Sequence, residues 1–80
     1  MDTCTDTKNR ILFLLEQNGL SIYSLAIKSG VSSSTIKSIL YGKSKNPGVV
    51  TIKMLCDGFG ISLHDFFDTP AFRSTDPEII

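Results

Sequence analysis

An all-α fold of five short helices is what this sequence predicts, and three observations predict it. Apolar residues recur three and four positions apart from Ile11 to Phe67, the spacing that lines one face of a helix. A hydroxyl residue stands ahead of four such runs, at Ser21, Ser32, Thr51 and Ser62, and glycine follows at Gly19, Gly30, Gly42 and Gly60, the residue types that start and stop helices. No stretch shows the two-residue alternation of a half-buried strand.

The elements follow in order. Thr7 to Asn18 forms a first helix, its crowded Ile11, Leu12, Phe13, Leu14 and Leu15 packed against neighbours and closed by Gly19. Ser21 caps a second helix of about eight residues carrying Ile22, Leu25, Ala26 and Ser29. Ser32 caps a third, with Ile36, Ile39 and Leu40 facing inward and Ser33, Ser34, Lys37, Ser38 and Tyr41 outward. Gly42 to Val50 reads as a loop. Thr51 caps a fourth helix with Ile52, Leu55, Cys56 and Phe59 on one side, where Gly58 costs roughly 1 kcal/mol against Ala. Ser62 and Asp65 resemble a capping box ahead of Leu63, Phe66 and Phe67.

With 80 residues and 41% hydrophobic content, the chain makes one small domain that buries about 60 to 65% of its unfolded surface, too little for a deep catalytic cleft. The expected division is a flexible tail over 1–6, the domain over 7–68 and a second tail over 69–80 with a possible subunit contact. No apolar run nears the roughly 18 residues of a membrane span, and Met1 to Asp6 is acidic rather than basic-then-apolar, so the expectation is a cytoplasmic protein with no membrane partner. Cys4, Cys56 and the single His64 are too few and too scattered for a metal site. Cys4 reads as a free tail thiol and Cys56 as a small buried hydrophobe. No metal and no cofactor is expected.

Formal net charge is zero, but it divides unevenly. Residues 1–16 hold Asp2, Asp6 and Glu16 against Lys8 and Arg10. Residues 17–56 hold Lys28, Lys37, Lys43, Lys45 and Lys53 and no acidic residue. Residues 57–80 hold Asp57, Asp65, Asp68, Asp76 and Glu78 against Arg73. A basic middle facing one way suits a polyanion, because each lysine near a phosphate releases condensed counterions. Scattered solvated lysines give the same count, so the helical pattern decides.

Leu25-Ala26, Gly30-Val31, Ile36 and Ile39 supply what two steeply crossed helices need: a small residue at the closest approach, a cheap sharp turn, and apolar anchors beneath the second helix. This is helix-turn-helix spacing. From Lys8 to Phe67 the chain resembles the lambda-repressor-like, Cro/cI-type (XRE family) helix-turn-helix proteins. Gly19-Leu20-Ser21, Leu25-Ala26, Gly30-Val31-Ser32, Ser34-Thr35-Ile36, Ile39, Gly42-Lys43, Pro47, Thr51-Ile52, Leu55, Gly60-Ile61-Ser62 and Phe67 carry the likeness. Three positions depart from it, in two places. Ile22 stands where many members have a Gln that grips a phosphate, leaving only the backbone amide for that work. Leu15 and Leu40 stand where some members bridge helices one and three with Arg and Glu, a bridge that apolar packing replaces.

The resemblance implies a five-helix domain whose third helix enters the major groove of double-stranded DNA. On that basis Ser33, Ser34, Lys37 and Ser38 are the base readers, with Lys37 the donor to guanine N7 or O6 and the short serines working partly through water. Ser21, Ile22, Ser32, Tyr41, Lys43 and Lys45 are the phosphate contacts. Helix capping alone explains Ser21 and Ser32 as well, and Tyr41 also suits a place over the edge of the core. Phe66, Phe67 and Phe72 are the expected dimer contacts. The expected function is a sequence-specific transcriptional regulator, a repressor binding an inverted repeat as a homodimer. The alternative is a protein-interaction module on the same fold, an antitoxin or anti-activator with a protein partner. An enzyme is not expected: His64 and Asp65 are adjacent on one helix and point apart, and no Gly-x-Ser-x-Gly elbow or phosphate loop is present.

Overall fold

In the computed structural model, which describes residues 3–44 and 46–77, the chain forms α1 (Thr3–Asn18), α2 (Ile22–Ser29), α3 (Ser33–Leu40), α4 (Val49–Phe59), α5 (Leu63–Phe67) and α6 (Pro70–Arg73), with no strand among the described residues. Three caps form as the hydroxyl positions predict. The Ser21, Ser32 and Ser62 side chains accept from the backbone N–H groups of Ser24, Thr35 and Asp65 at 3.0, 3.2 and 3.0 Å, each satisfying one of the donors that a helix start leaves free.

The boundaries differ from expectation at three places. First, α1 begins at Thr3, so residues 3–6 are helical rather than a tail, and Cys4 is a half-buried helix residue whose thiol points at the Ser44 carbonyl, 4.0 Å away. Thr7 is buried and its hydroxyl donates to the Thr3 carbonyl at 2.8 Å, while Asp6 in the first turn complements the helix dipole. Second, α4 starts at Val49 with Gly48 as a cap lacking any side-chain hydrogen bond, three residues ahead of the expected cap Thr51. The extended Gly48 backbone lets its carbonyl take the Ile52 N–H at 3.1 Å. Third, Pro70 opens a short α6 inside the segment read as a tail, Pro being well suited to a first helical position.

One core joins every long helix. Ile11, Leu14 and Leu15 of α1 meet Leu25 of α2, Val31 of the turn, Ile36, Ile39 and Leu40 of α3, Ile52, Leu55, Cys56 and Phe59 of α4, and Phe66 of α5. Leu15 and Leu40 both lie within it, so apolar packing occupies the place of an ion pair. Cys56 is fully buried, and that burial, then the nearby Asp57 charge, pushes its thiol pKa up. It stays a neutral hydrophobe.

Phe66 requires a correction. It is fully buried, so it belongs to the core and offers a second subunit no surface. Its neighbours Phe67 and Phe72 remain partly accessible, Phe67 edge-on to Phe66 at 4.8 Å and Phe72 edge-on to Phe67 at 4.9 Å. Arg10 fastens this end of the molecule to α1. Its guanidinium donates to the Phe66 and Asp65 carbonyls at 2.7 and 2.8 Å and stands 5.6 and 5.9 Å from the ring centres of Phe13 and Phe66, within cation–π range.

Among the described residues no helix is long and apolar enough to cross a membrane, and no group of His, Cys, Asp and Glu is placed to hold a metal ion.

Candidate nucleic-acid interface

The turn between α2 and α3 is made by three adjacent residues. Gly30 takes a left-handed φ of 77° and closes α2 on the Ala26 carbonyl, a conformation costly for a residue with a Cβ. The buried Ser29 hydroxyl accepts the Val31 N–H at 3.1 Å, so the chain crosses the core edge with that donor satisfied. Val31 itself is buried. Ser32 then starts α3 in an extended conformation.

α3 is held from beneath by Ile36, Ile39 and Leu40, all buried. Ser34, Lys37, Ser38 and Tyr41 fall on the opposite side at spacings of three, four and seven, the repeat of one helix face. Ser34, Lys37 and Tyr41 are exposed, while Ser33 and Ser38 are half-buried. The expected readers thus come together on one helix, with Ser33 set towards its inner edge. Tyr41, expected at phosphates, is 68% exposed and shares the readers' face.

Hydroxyls bind one another at the start of α3. Ser32 donates to Thr35 Oγ1 at 2.9 Å and lies 3.2 Å from Ser34 Oγ. Exposed Thr35 therefore belongs to the same polar cluster. Sequence reasoning missed it, although a threonine one turn ahead of Ile39 carries that signal. Ser21 is likewise engaged, donating to Ser24 Oγ at 3.0 Å. Ile22 packs its side chain against the core, which leaves its main chain as the polar element at that helix start.

Beyond α3 the chain folds back on it. The Tyr41 N–H bonds the Lys37 carbonyl at 2.8 Å, and the N–H groups of Lys43 and Ser44 both reach the Ser38 carbonyl at 2.9 Å. Lys43 is exposed beside the end of α3. Lys45 lies outside the described residues. Of the other basic residues in this half, Lys28 is exposed and Lys53 is paired with Asp57 one turn on.

Comparison with known proteins agrees with this geometry. No curated protein matches the chain. The crystal structure of prophage Lp1 protein 11 is similar, with a TM-score of 0.80 and 35% sequence identity over 92% of this chain and 99% of that one. A family model, the Cro/C1-type helix-turn-helix DNA-binding domain, matches residues 10–71. With α2, the Gly30 turn and α3 inside that span, the chain belongs to the Cro/C1-type helix-turn-helix DNA-binding family.

Proposed function

We propose that this protein is a sequence-specific transcriptional regulator, a cytoplasmic repressor that binds an inverted-repeat operator in double-stranded DNA as a homodimer. The observation that carries the reading is the outer face of α3, where serine hydroxyls, Lys37 and Tyr41 stand over an anchored apolar base. It lies within a stretch, residues 17–56, that contains no carboxylate. Lys37 donates to guanine, while Ser33, Ser34 and Ser38 read neighbouring base edges directly or through water. Ser21, the Ile22 amide, Ser32, Tyr41, Lys43 and Lys45 hold phosphates and set the register. One short helix binds weakly, so two copies present their α3 helices about 34 Å apart, one helical turn of DNA.

A titration of duplex DNA at several salt concentrations tests this. The expected result is a sequence preference and a steep log–log slope, near minus 0.9 for each phosphate contacted. Shallow, sequence-blind binding overturns it in favour of the second reading, a protein-interaction module of antitoxin or anti-activator type. The accessible rings of Phe67 and Phe72 favour that alternative.

A further inference from the structure

Ser32, Ser34 and Thr35, all exposed, meet at the start of α3. A hydroxyl has one proton to give and two lone pairs with which to receive. Ser32 Oγ accepts the Thr35 N–H at 3.2 Å and gives its own proton to Thr35 Oγ1 at 2.9 Å. Its remaining contact, with Ser34 Oγ at 3.2 Å, can then run in one direction only, from Ser34 to Ser32. The Ser32 hydroxyl is thereby full, and a phosphate beside it meets main-chain N–H groups of the helix start instead. Ser34 spends its proton inward and turns lone pairs outward. Thr35 holds the one proton of the three that stays within reach of a ligand.

We propose, resting on the DNA-reading assignment above, that this relay fixes Ser34 as an acceptor, so that it selects an amino base, adenine or cytosine, over a keto base, guanine or thymine. Ser32 and Thr35 act as positioning residues. In the major groove adenine N6 and cytosine N4 are donors, whereas guanine O6 and thymine O4 are acceptors. A serine with a free hydroxyl meets either kind, because the proton rotates to suit. One whose proton is held discriminates. Lys37, three positions on along the same face, can only donate and takes the opposite class of edge, so a single helix face reads both. The relay stands in water in the free protein, and its hydrogen bonds strengthen where DNA excludes that water.

Selection from random duplexes by the full chain, with Ser34→Ala, Thr35→Val and Thr35→Ser as variants, tests the proposal. The pair at which Ser34→Ala loses preference is the one Ser34 reads. Wild type is expected to favour an amino base there by about two- to tenfold, the worth of one hydrogen bond. That margin should vanish when purine replaces adenine, or pyrimidin-2-one replaces cytosine, since either change deletes the amine. Thr35→Val keeps the shape but removes the acceptor, which frees the Ser32 proton for Ser34. The amino preference should then collapse or turn to a keto base, and Thr35→Ser should retain it. The ratio between bases is the readout, because a loosened helix weakens every duplex alike. A keto base at that pair, a Ser34→Ala variant that relaxes no pair, an amino preference untouched by Thr35→Val, or a Thr35→Ser variant matching Thr35→Val overturns the relay while sequence recognition stands. Wild type that binds every duplex equally overturns recognition itself, and the relay's role with it.

Discussion

Gly58 of α4 sits against Ser29 of α2 so closely that a Cβ added at 58 would lie 2.9 Å from the Ser29 Cβ and 3.1 Å from the Ser29 backbone nitrogen. Contacts that short do not survive without movement of the backbone, so this glycine sets how near α2 and α4 lie. Viewed as a helix residue alone it is a weakness of roughly 1 kcal/mol relative to Ala. Gly58→Ala is therefore expected to destabilise by about 1–3 kcal/mol, as overpacking does, and to lower the melting temperature by roughly 4–8 °C per kcal/mol. A raised or unchanged melting temperature would show that propensity prevails over the clash.

Ser29 also accepts the Val31 N–H at the start of the turn. Ser29→Ala leaves that buried donor without its partner, which costs about 1–3 kcal/mol. Urea unfolding measures it. Equal midpoints for variant and wild type would mean that the turn needs no such acceptor.

Arg10 holds the carboxyl-terminal end of α5 with two hydrogen bonds. Replacing it by Ala removes both, and Arg10→Lys restores at most one, since an ammonium group lacks the planar fork. Amide hydrogen exchange is expected to quicken in α5 and α6 in both variants and to stay slow in α3. Full protection of α5 in Arg10→Lys would refute the two-pronged role.

The hydrogen bond from Arg73, and then its charge, hold the Asp68 carboxyl below the usual aspartate range. A carboxyl with a depressed native pKa adds stability that is fully present above its unfolded value, about 3.9, and lost as pH falls through the lower native value. The α6 attachment should therefore hold at neutral pH and loosen in strong acid. An NMR titration of the Asp68 side chain reports it, and Arg73→Gln should return the midpoint upward to the ordinary range. A midpoint that ignores the substitution rules the pair out.

Lys37 and Lys43 are assigned different work, and binding measured on a panel of duplexes separates them. Lys37→Ala should relax preference at one base pair at a cost of about 1–3 kcal/mol, whereas Lys43→Ala should weaken every duplex alike and reduce the salt slope by about one phosphate. Identical patterns from the two variants would dissolve the distinction between reader and grip.

Much of the frame is legible in the sequence because local rules suffice for it. Ser21, Ser32 and Ser62 cap helices wherever they occur, and the period of Ile36, Ile39 and Leu40 alone decides which side of α3 faces solvent. The unread part depends on residues distant along the chain or on elements too short to show a period. Arg10 reaches carbonyls more than fifty positions away, and nothing near it announces this. Gly58 looks like a local weakness until α2 lies beside it. Phe66 and Phe67 are adjacent on a helix of five residues, too short for its pattern to tell which ring goes inside. The start of α4 is missed because Gly48 caps it by backbone conformation without a side chain.

The Ser38 carbonyl receives both the Lys43 and the Ser44 N–H, so the segment that follows α3 is tied back to that helix through main-chain atoms. Whatever side chain occupies 38 can be exchanged without untying that knot. On the proposed reading, the outward face of α3 can change its target while the segment behind it keeps its place.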